Sequence, residues 1–226
     1  MAGQRDGAHL MGAATLGVFN MGTAAAGANV HDITEAGTGS ITIPGGVTSV
    51  TIQVWGAGGG GGFSILTSQY NGYVLEIVEL PGGGGGGGGY SKSVIALTGA
   101  DTGKTILYVV GAGGGGGSSG EATGGGGGQS LVYSGTYSLT SLAANGGNGG
   151  SSGEYGGAQG TGGTASGGNT TNTTGNGSGV PNPAGASPLT GDNGLTAGGG
   201  GDAGEVVLFG QSGLVGYAGR VRIAFT

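Results

Sequence analysis

Residues 48–55 read Thr-Ser-Val-Thr-Ile-Gln-Val-Trp, with Val50, Ile52 and Val54 alternating against Thr51, Gln53 and Trp55. A period of two places the three aliphatic residues on one face of an extended chain and predicts a strand buried on one side. At Gly56 the side chains stop, and residues 56–62 read Gly-Ala followed by glycine only. The same junction recurs where residues 105–110 (TILYVV) run into GAGGGGG at 111–117. Further apolar stretches lie at 90–98, 129–144, 205–210 and 219–226, the last with Val221, Ile223 and Phe225 on one face. Ile41 and Ile43 precede a Pro44-Gly45-Gly46 turn. Within residues 63–81, Asn71-Gly72 lies between two β-prone arms, a strong hairpin signal, with Tyr70 and Tyr73 at its tip. Residues 129–144 repeat the theme with Ser134-Gly135 between Tyr133 and Tyr137. Strands at both ends predict that 50–54 pairs with 221–225.

Composition changes how the intervening stretches are read. Of 226 residues, 67 are glycine, and the runs at 56–62, 82–89, 111–117 and 124–128 are nearly solid glycine. Glycine-rich chain is commonly flexible linker, but a linker has no reason to repeat the strand-to-glycine junction. Collagen needs glycine at every third position with proline between, and this chain has 5 prolines. The remaining way to order solid glycine is a bundle of polyglycine II helices, extended and left-handed with three residues per turn. Their amides and carbonyls point outward all round and bond neighbouring helices when no Cβ intervenes. Gly58, Gly60, Gly84, Gly86, Gly113, Gly115 and Gly126 are on this reading structural, and residues 82–89 would span roughly 25 Å. The fold expected is mainly β: a small β-sandwich base, a bundle of polyglycine II helices with distal loops, and almost no α-helix. Residues 1–40, which hold all three methionines and both histidines, read as an N-terminal attachment segment, and 41–226 as the glycine-rich domain.

Charge and candidate chemistry exclude more than they offer. Net charge is −6 with no basic block, which argues against a nucleic-acid surface. There is no cysteine, hence neither a disulfide nor a thiolate site. The N-terminal residues lack the pattern of a secretory signal, and no stretch approaches the ~20 apolar residues of a membrane span, so no membrane insertion is expected. His9 and His31 stand apart from any ligand cluster. Gly99–Lys104 resembles a phosphate loop but is one residue short and leads into a strand rather than a helix. Asp202 and Glu205 could together hold an isolated cation, although no second copy supports a repeat site. No histidine lies near a serine or threonine nucleophile, and Glu76 and Glu79 fall on opposite faces of a regular strand, so no enzyme, metal or cofactor is expected. Trp55, at a strand end, is expected in the core. The tyrosines are the better functional candidates, since they combine a flat apolar face with a polar tip; the alternative is that they cap the ends of glycine helices.

The segment ITIPGGVTSVTIQVWGAGGGGG, the later VVGAGGGGG and the closing GYAGRVRIAFT resemble the glycine-rich domains of bacteriophage tail-fibre and receptor-binding proteins. The likeness covers residues 41–226. It is looser to phage adhesins in which polyglycine II helices are capped by variable loops, and the chain differs from the larger of these in lacking their aromatic-rich N-terminal domain. The resemblance implies a virion location and host contact through loops between glycine helices. Tyr70, Asn71, Tyr73, Tyr133, Tyr137 and Tyr155 match that description as receptor-binding candidates. The expected partners are other virion proteins through residues 1–40 and a host surface glycan or outer-membrane protein; a homo-oligomer is compatible. A non-adhesive decoration or connector protein is the alternative. An ice-binding or matrix protein is a third reading, weakened because Thr170, Thr171, Thr173 and Thr174 have no longer-range repeat.

Overall fold

The computed structural model describes residues 29–119, 123–153, 157–178, 189–190, 196–202 and 212–226. Among the described residues fourteen strands succeed one another: β1 (Val30–Ile33), β2 (Gly37–Thr42), β3 (Ser49–Trp55), β4 (Ile65–Tyr70), β5 (Leu75–Leu80), β6 (Tyr90–Ala96), β7 (Thr105–Val110), β8 (Ser130–Ser134), β9 (Leu142–Ala144), β10 (Ala165–Ser166), β11 (Thr171–Thr173), β12 (Leu189–Thr190), β13 (Thr196–Ala197) and β14 (Arg220–Phe225). Ten of them form two five-stranded sheets, ordered β1-β14-β3-β6-β11 and β10-β9-β8-β7-β2, while β4-β5 and β12-β13 stand as separate pairs. The predicted partnership holds: β14 lies antiparallel to β3, with Phe225 opposite Val50, Ile223 opposite Ile52 and Val221 opposite Val54. The two sheets share one apolar core, in which Val50, Ile52, Val54, Val221 and Ile223 meet Ile106, Val132 and Leu142. Each such side chain contributes roughly 1.5–3 kcal/mol on burial. The fold is mainly β, a sandwich.

Residues 56–62 leave the end of β3 and adopt neither helix nor ladder. Their amides point three ways in rotation. Gly56, Gly59 and Gly62 donate to the carbonyls of Gly89, Gly86 and Gly83; Ala57 and Gly60 donate to Gly128 and Gly125; Gly58 and Gly61 donate to Tyr217 and Leu214. The carbonyls do the same toward other neighbours, those of Ala57 and Gly60 accepting from Gly147 and Gly150, those of Gly58 and Gly61 from Gly114 and Gly117, and that of Gly59 from Gly201. A bond to each neighbour at every third residue is the signature of three residues per turn. The run therefore sits at the centre of a ring of six extended segments. None of the four glycine runs contains a positive φ, which agrees with the left-handed extended helix that the three-residue period of bonds requires.

The segments around this centre obey the same rule with side chains added. Asn145, Asn148 and Ser151 recur at every third position, and so do Ala158, Thr161 and Thr164. The backbones of these two segments pair antiparallel, and across the pair Asn145 Nδ2 donates to Thr164 Oγ1 at 2.7 Å and Asn148 Nδ2 to Thr161 Oγ1 at 2.6 Å. A period of three puts all of these side chains on one edge, here the outside of the bundle.

Two sequence boundaries require correction. Residues 129–144 form β8 and β9 inside the sandwich rather than a loop at the far end. The proposed division at residue 40 cuts through β2, which pairs with β7 along its whole length, while β1 pairs with β14. The β body thus begins at Val30, and residues 1–28 of the attachment segment lie outside the described residues.

Candidate surface-recognition hairpin

The chain that leaves β3 through residues 56–62 returns through 82–89 into β6, and the excursion between them stands at the far end of the bundle. Its foot is fixed by the Gly62 amide donating to the Gly83 carbonyl at 2.7 Å and by the Gly82 amide donating to Ser64 Oγ at 3.2 Å. Beyond the foot β4 and β5 form a two-stranded antiparallel hairpin running from the Ile65–Leu80 pair to the Tyr70–Leu75 pair. The Asn-Gly turn works as its sequence predicts. Asn71 Oδ1 accepts from the amides of Tyr73 (3.3 Å) and Val74 (3.1 Å), and Gly72 takes a φ of +93° that disfavours residues with a side chain. The Tyr70 hydroxyl donates to the Gly72 carbonyl at 3.0 Å, which orients its ring.

The register puts Leu66, Ser68, Tyr70, Leu75 and Ile77 on one face of the hairpin. This face is open to solvent: Tyr70, Leu75 and Ile77 are 69%, 65% and 70% exposed, and Tyr73 at the tip is 94% exposed with Val74 beside it. Large apolar side chains displayed together at a projecting end mark an interaction surface rather than ordinary scatter. The central glycine run below offers no side chain with which to discriminate a partner, and the hairpin carries large apolar groups at this end.

The other candidates fall elsewhere. Tyr133 is half-buried in β8, opposite Leu107 of β7. Tyr137 is not at a tip; it packs in the core cluster, with the Lys104 ammonium 5.9 Å from its ring centroid, and burial raises its phenol pKa. Tyr155 lies outside the described residues. Trp55 is fully buried as expected, but by register it shares the outer face of its sheet with Gln53, not the sandwich core. There it leans on Tyr90 (centroids 5.1 Å apart) and the Arg220 guanidinium 5.6 Å away, which is itself held in a bidentate pair by Asp32. His31 meets Phe225 edge-on, and desolvation lowers its pKa. The stretch resembling a phosphate loop is closed on itself: Lys104 Nζ donates to Asp101 Oδ1 at 2.7 Å and the Thr98 amide to Asp101 Oδ2 at 2.9 Å, which holds the Asp101 carboxyl down to about 2.

Among the glycines taken as structural, Gly58, Gly60, Gly86 and Gly113 each have a neighbouring carbonyl where a Cβ would stand. Gly84 is bonded on both sides, its amide to Gln159 Oε1 and its carbonyl to the Gly160 amide and the Ser178 hydroxyl. Gly115 and Gly126 are corrections: a Cβ meets nothing within 4 Å at Gly115 and only the Gly147 oxygen, at 3.8 Å, at Gly126. Among the described residues no group of three or more His, Asp or Glu could hold a metal ion, and no helix is long and apolar enough to cross a membrane. Asp202 is described but Glu205 is not, so that pair lies partly outside the described residues.

Comparison with curated proteins gives no match. A family model described as a glycine-rich domain matches residues 33–225, a span that begins in β1 and ends in β14. The chain belongs to this glycine-rich domain family.

Proposed function

We propose that the protein is a non-enzymatic bacteriophage virion protein, an adhesin at a tail-fibre or spike tip that touches the host cell through the β4–β5 hairpin. The observation that carries this reading is the exposed apolar face of Tyr70, Leu75 and Ile77, with Tyr73 beyond it, at the end of a rigid glycine bundle. The polarity of the molecule supports it. Val30 pairs with Ala224, and the Phe225 amide donates to the Asn29 carbonyl. Asn29 therefore lies at the end of the sandwich away from the bundle, and attachment to other virion proteins at that end leaves the hairpin unobstructed. A surface protein of the host is the partner that fits, since aromatic and aliphatic groups in one patch favour a partly apolar counterpart.

The test is adsorption of the fluorescently labelled full chain to a panel of bacterial strains, beside Tyr70→Ala and Tyr73→Ala. Each variant is expected to lose at least tenfold in affinity on a strain that binds the parent, as for a central interface tyrosine. Unchanged adsorption by both variants, with normal folding, would make the hairpin a structural cap and favour a decoration or connector role.

A further inference from the structure

We propose that the sandwich carries a second binding site, unrelated to the hairpin, for a single neutral sugar ring. The site is a cavity of about 420 Å³ between β6 and the chain that joins β8 to β9. That volume falls in the range of small-molecule sites. Ile95 and Leu139 give it apolar wall, Tyr137 an aromatic one, and Ser93, Thr140 and Asn169 a polar margin, with no charged residue in the lining.

Tyr137 is the group that points to a ligand. It is only 8% exposed, yet its hydroxyl makes no hydrogen bond among the described residues. Nor is that oxygen one of the fully sealed polar atoms, so it is open to a partner from outside the fold. A phenol that is nine-tenths buried ordinarily has a partner, and a ligand hydroxyl held against this wall can supply one. The margin is already set. Asn169 Nδ2 donates to the Val94 carbonyl at 2.8 Å, its Oδ1 accepts from the Val94 amide at 3.0 Å, and its own amide donates to Ser93 Oγ at 3.0 Å. Those bonds hold the wall in place and leave the Ser93 hydroxyl proton to donate. The Thr140 hydroxyl makes no bond among the described residues.

The lining is amphipathic and uncharged, which narrows the ligand. A charged molecule would lose its hydration with no counter-charge to replace it. A purely apolar one would leave the Tyr137 and Ser93 hydroxyls unmatched. A pyranose ring has a C–H face for the aromatic and aliphatic wall and hydroxyls round its edge for the polar margin.

The experiment is a titration of the ¹⁵N-labelled full chain, monitored by amide chemical shifts. The probes are D-glucose, D-galactose, D-mannose and N-acetyl-D-glucosamine, each to about 100 mM, with D-glucuronate as the charged counterpart. At least one neutral sugar should give saturable shifts at Ser138, Thr140 and Asn169 with a Kd in the millimolar range, where a single small ring belongs. Glucuronate should bind at least about tenfold more weakly. Tyr137→Phe keeps the ring and removes the hydroxyl, and should weaken binding about tenfold. Thr140→Trp, at an exposed position, should block the cavity without changing the melting temperature, and it decides the matter should Tyr137→Phe disturb the core. Tyr73→Ala should bind the sugar like the parent, whatever becomes of cell adsorption. No saturable shift from any of the four sugars, equal binding of glucuronate, or binding that survives Thr140→Trp overturns the proposal.

Discussion

Valine at Gly85 tests the bundle directly. An ideal Cβ at this position stands 2.9 Å from the Gly60 oxygen and 2.5 Å from the Gly59 carbonyl carbon, with the Gly59 oxygen nearer still. Those atoms are backbone of the central run, so no side chain can swing aside. Relief requires residues 82–89 to move outward by about 1 Å or more. That movement stretches the Gly85 bond to Gly201, the Gly59 bond to Gly86 and the Gly86 bond to Asn148, each now 2.8 Å. The groups are buried, and each loses about 1–3 kcal/mol if left unsatisfied. Gly85→Val should therefore cost about 4 kcal/mol or more, above the ~1 kcal/mol of ordinary substitutions. In a chain of this length that corresponds to a fall in Tm of about 10 °C. Gly115→Ala supplies the control, because a Cβ there meets nothing within 4 Å and φ is negative. It should be neutral or stabilise by up to about 1 kcal/mol through the unfolded state. Urea denaturation of both variants and the parent measures the difference. Equal stability of the two variants, or a Gly85→Val cost under about 1 kcal/mol, refutes close lateral packing of the runs.

Two further outcomes are expected. Desolvation holds the His31 pKa below 6.5 in the folded chain; its neutral form is favoured, so its contribution is complete above the unfolded pKa and lost as pH falls below about 6.5. Asp101, held at about 2 by Lys104 and Thr98, contributes above about pH 4 and loses that contribution as pH falls toward 2. Thermal scans of His31→Phe and Asp101→Asn against the parent should separate the two windows, and identical pH profiles would contradict both assignments. Replacing residues 65–80 with a short Gly-Ser linker should change stability by no more than about 1 kcal/mol, because an exposed two-stranded hairpin adds little to a body it does not pack into. A loss comparable with that of Gly85→Val would show that the hairpin braces the bundle.

Much of this architecture is legible in the sequence, and the parts that are not have physical reasons. The alternation of Val50, Ile52 and Val54 and that of Val221, Ile223 and Phe225 identify two inward faces, and a sandwich whose chain begins and ends in strands brings them together. Asn71-Gly72 identifies the hairpin because few residue pairs accept that turn. Residues 129–144 look locally identical to 63–81, apolar arms around a small turn between two glycine runs, and local pattern cannot separate them. Direction can. Residues 56–62 carry the chain out and 82–89 bring it back; 111–117 carry it out and 124–128 bring it back. A stretch reached after an even number of runs belongs to the sandwich, and one reached after an odd number belongs to the far end. Residues 129–144 come after four runs and must be strands.

The same geometry decides which glycines are needed. In the central run neighbours press from six sides, and a Cβ at Gly58, Gly59 or Gly60 meets a carbonyl on whichever side it points. At the rim only the outward third of positions is free: in 111–117 a Cβ meets backbone at Gly111, Gly113, Gly114 and Gly116 but nothing at Gly115. Gly213, Gly216 and Gly219 turn their amides to Gly117, Gly114 and Gly111, while Leu214 and Tyr217 between them are exposed. Gly115 is free at the rim although its sequence neighbourhood matches that of Gly60, because composition does not record how many sides of a run are covered. The period records part of it: a side chain at every third residue, as at Asn145, Asn148 and Ser151, marks a rim segment whose third face is open, whereas solid glycine stands both in the central run and at the rim, as in 111–117. In a chain built this way exposed side chains stand at outward rim positions, as at Leu214 and Tyr217, and where the runs are interrupted. The exposed face of β4 and β5 is such an interruption, and its apolar residues owe their exposure to the absence of anything in the bundle that could cover them.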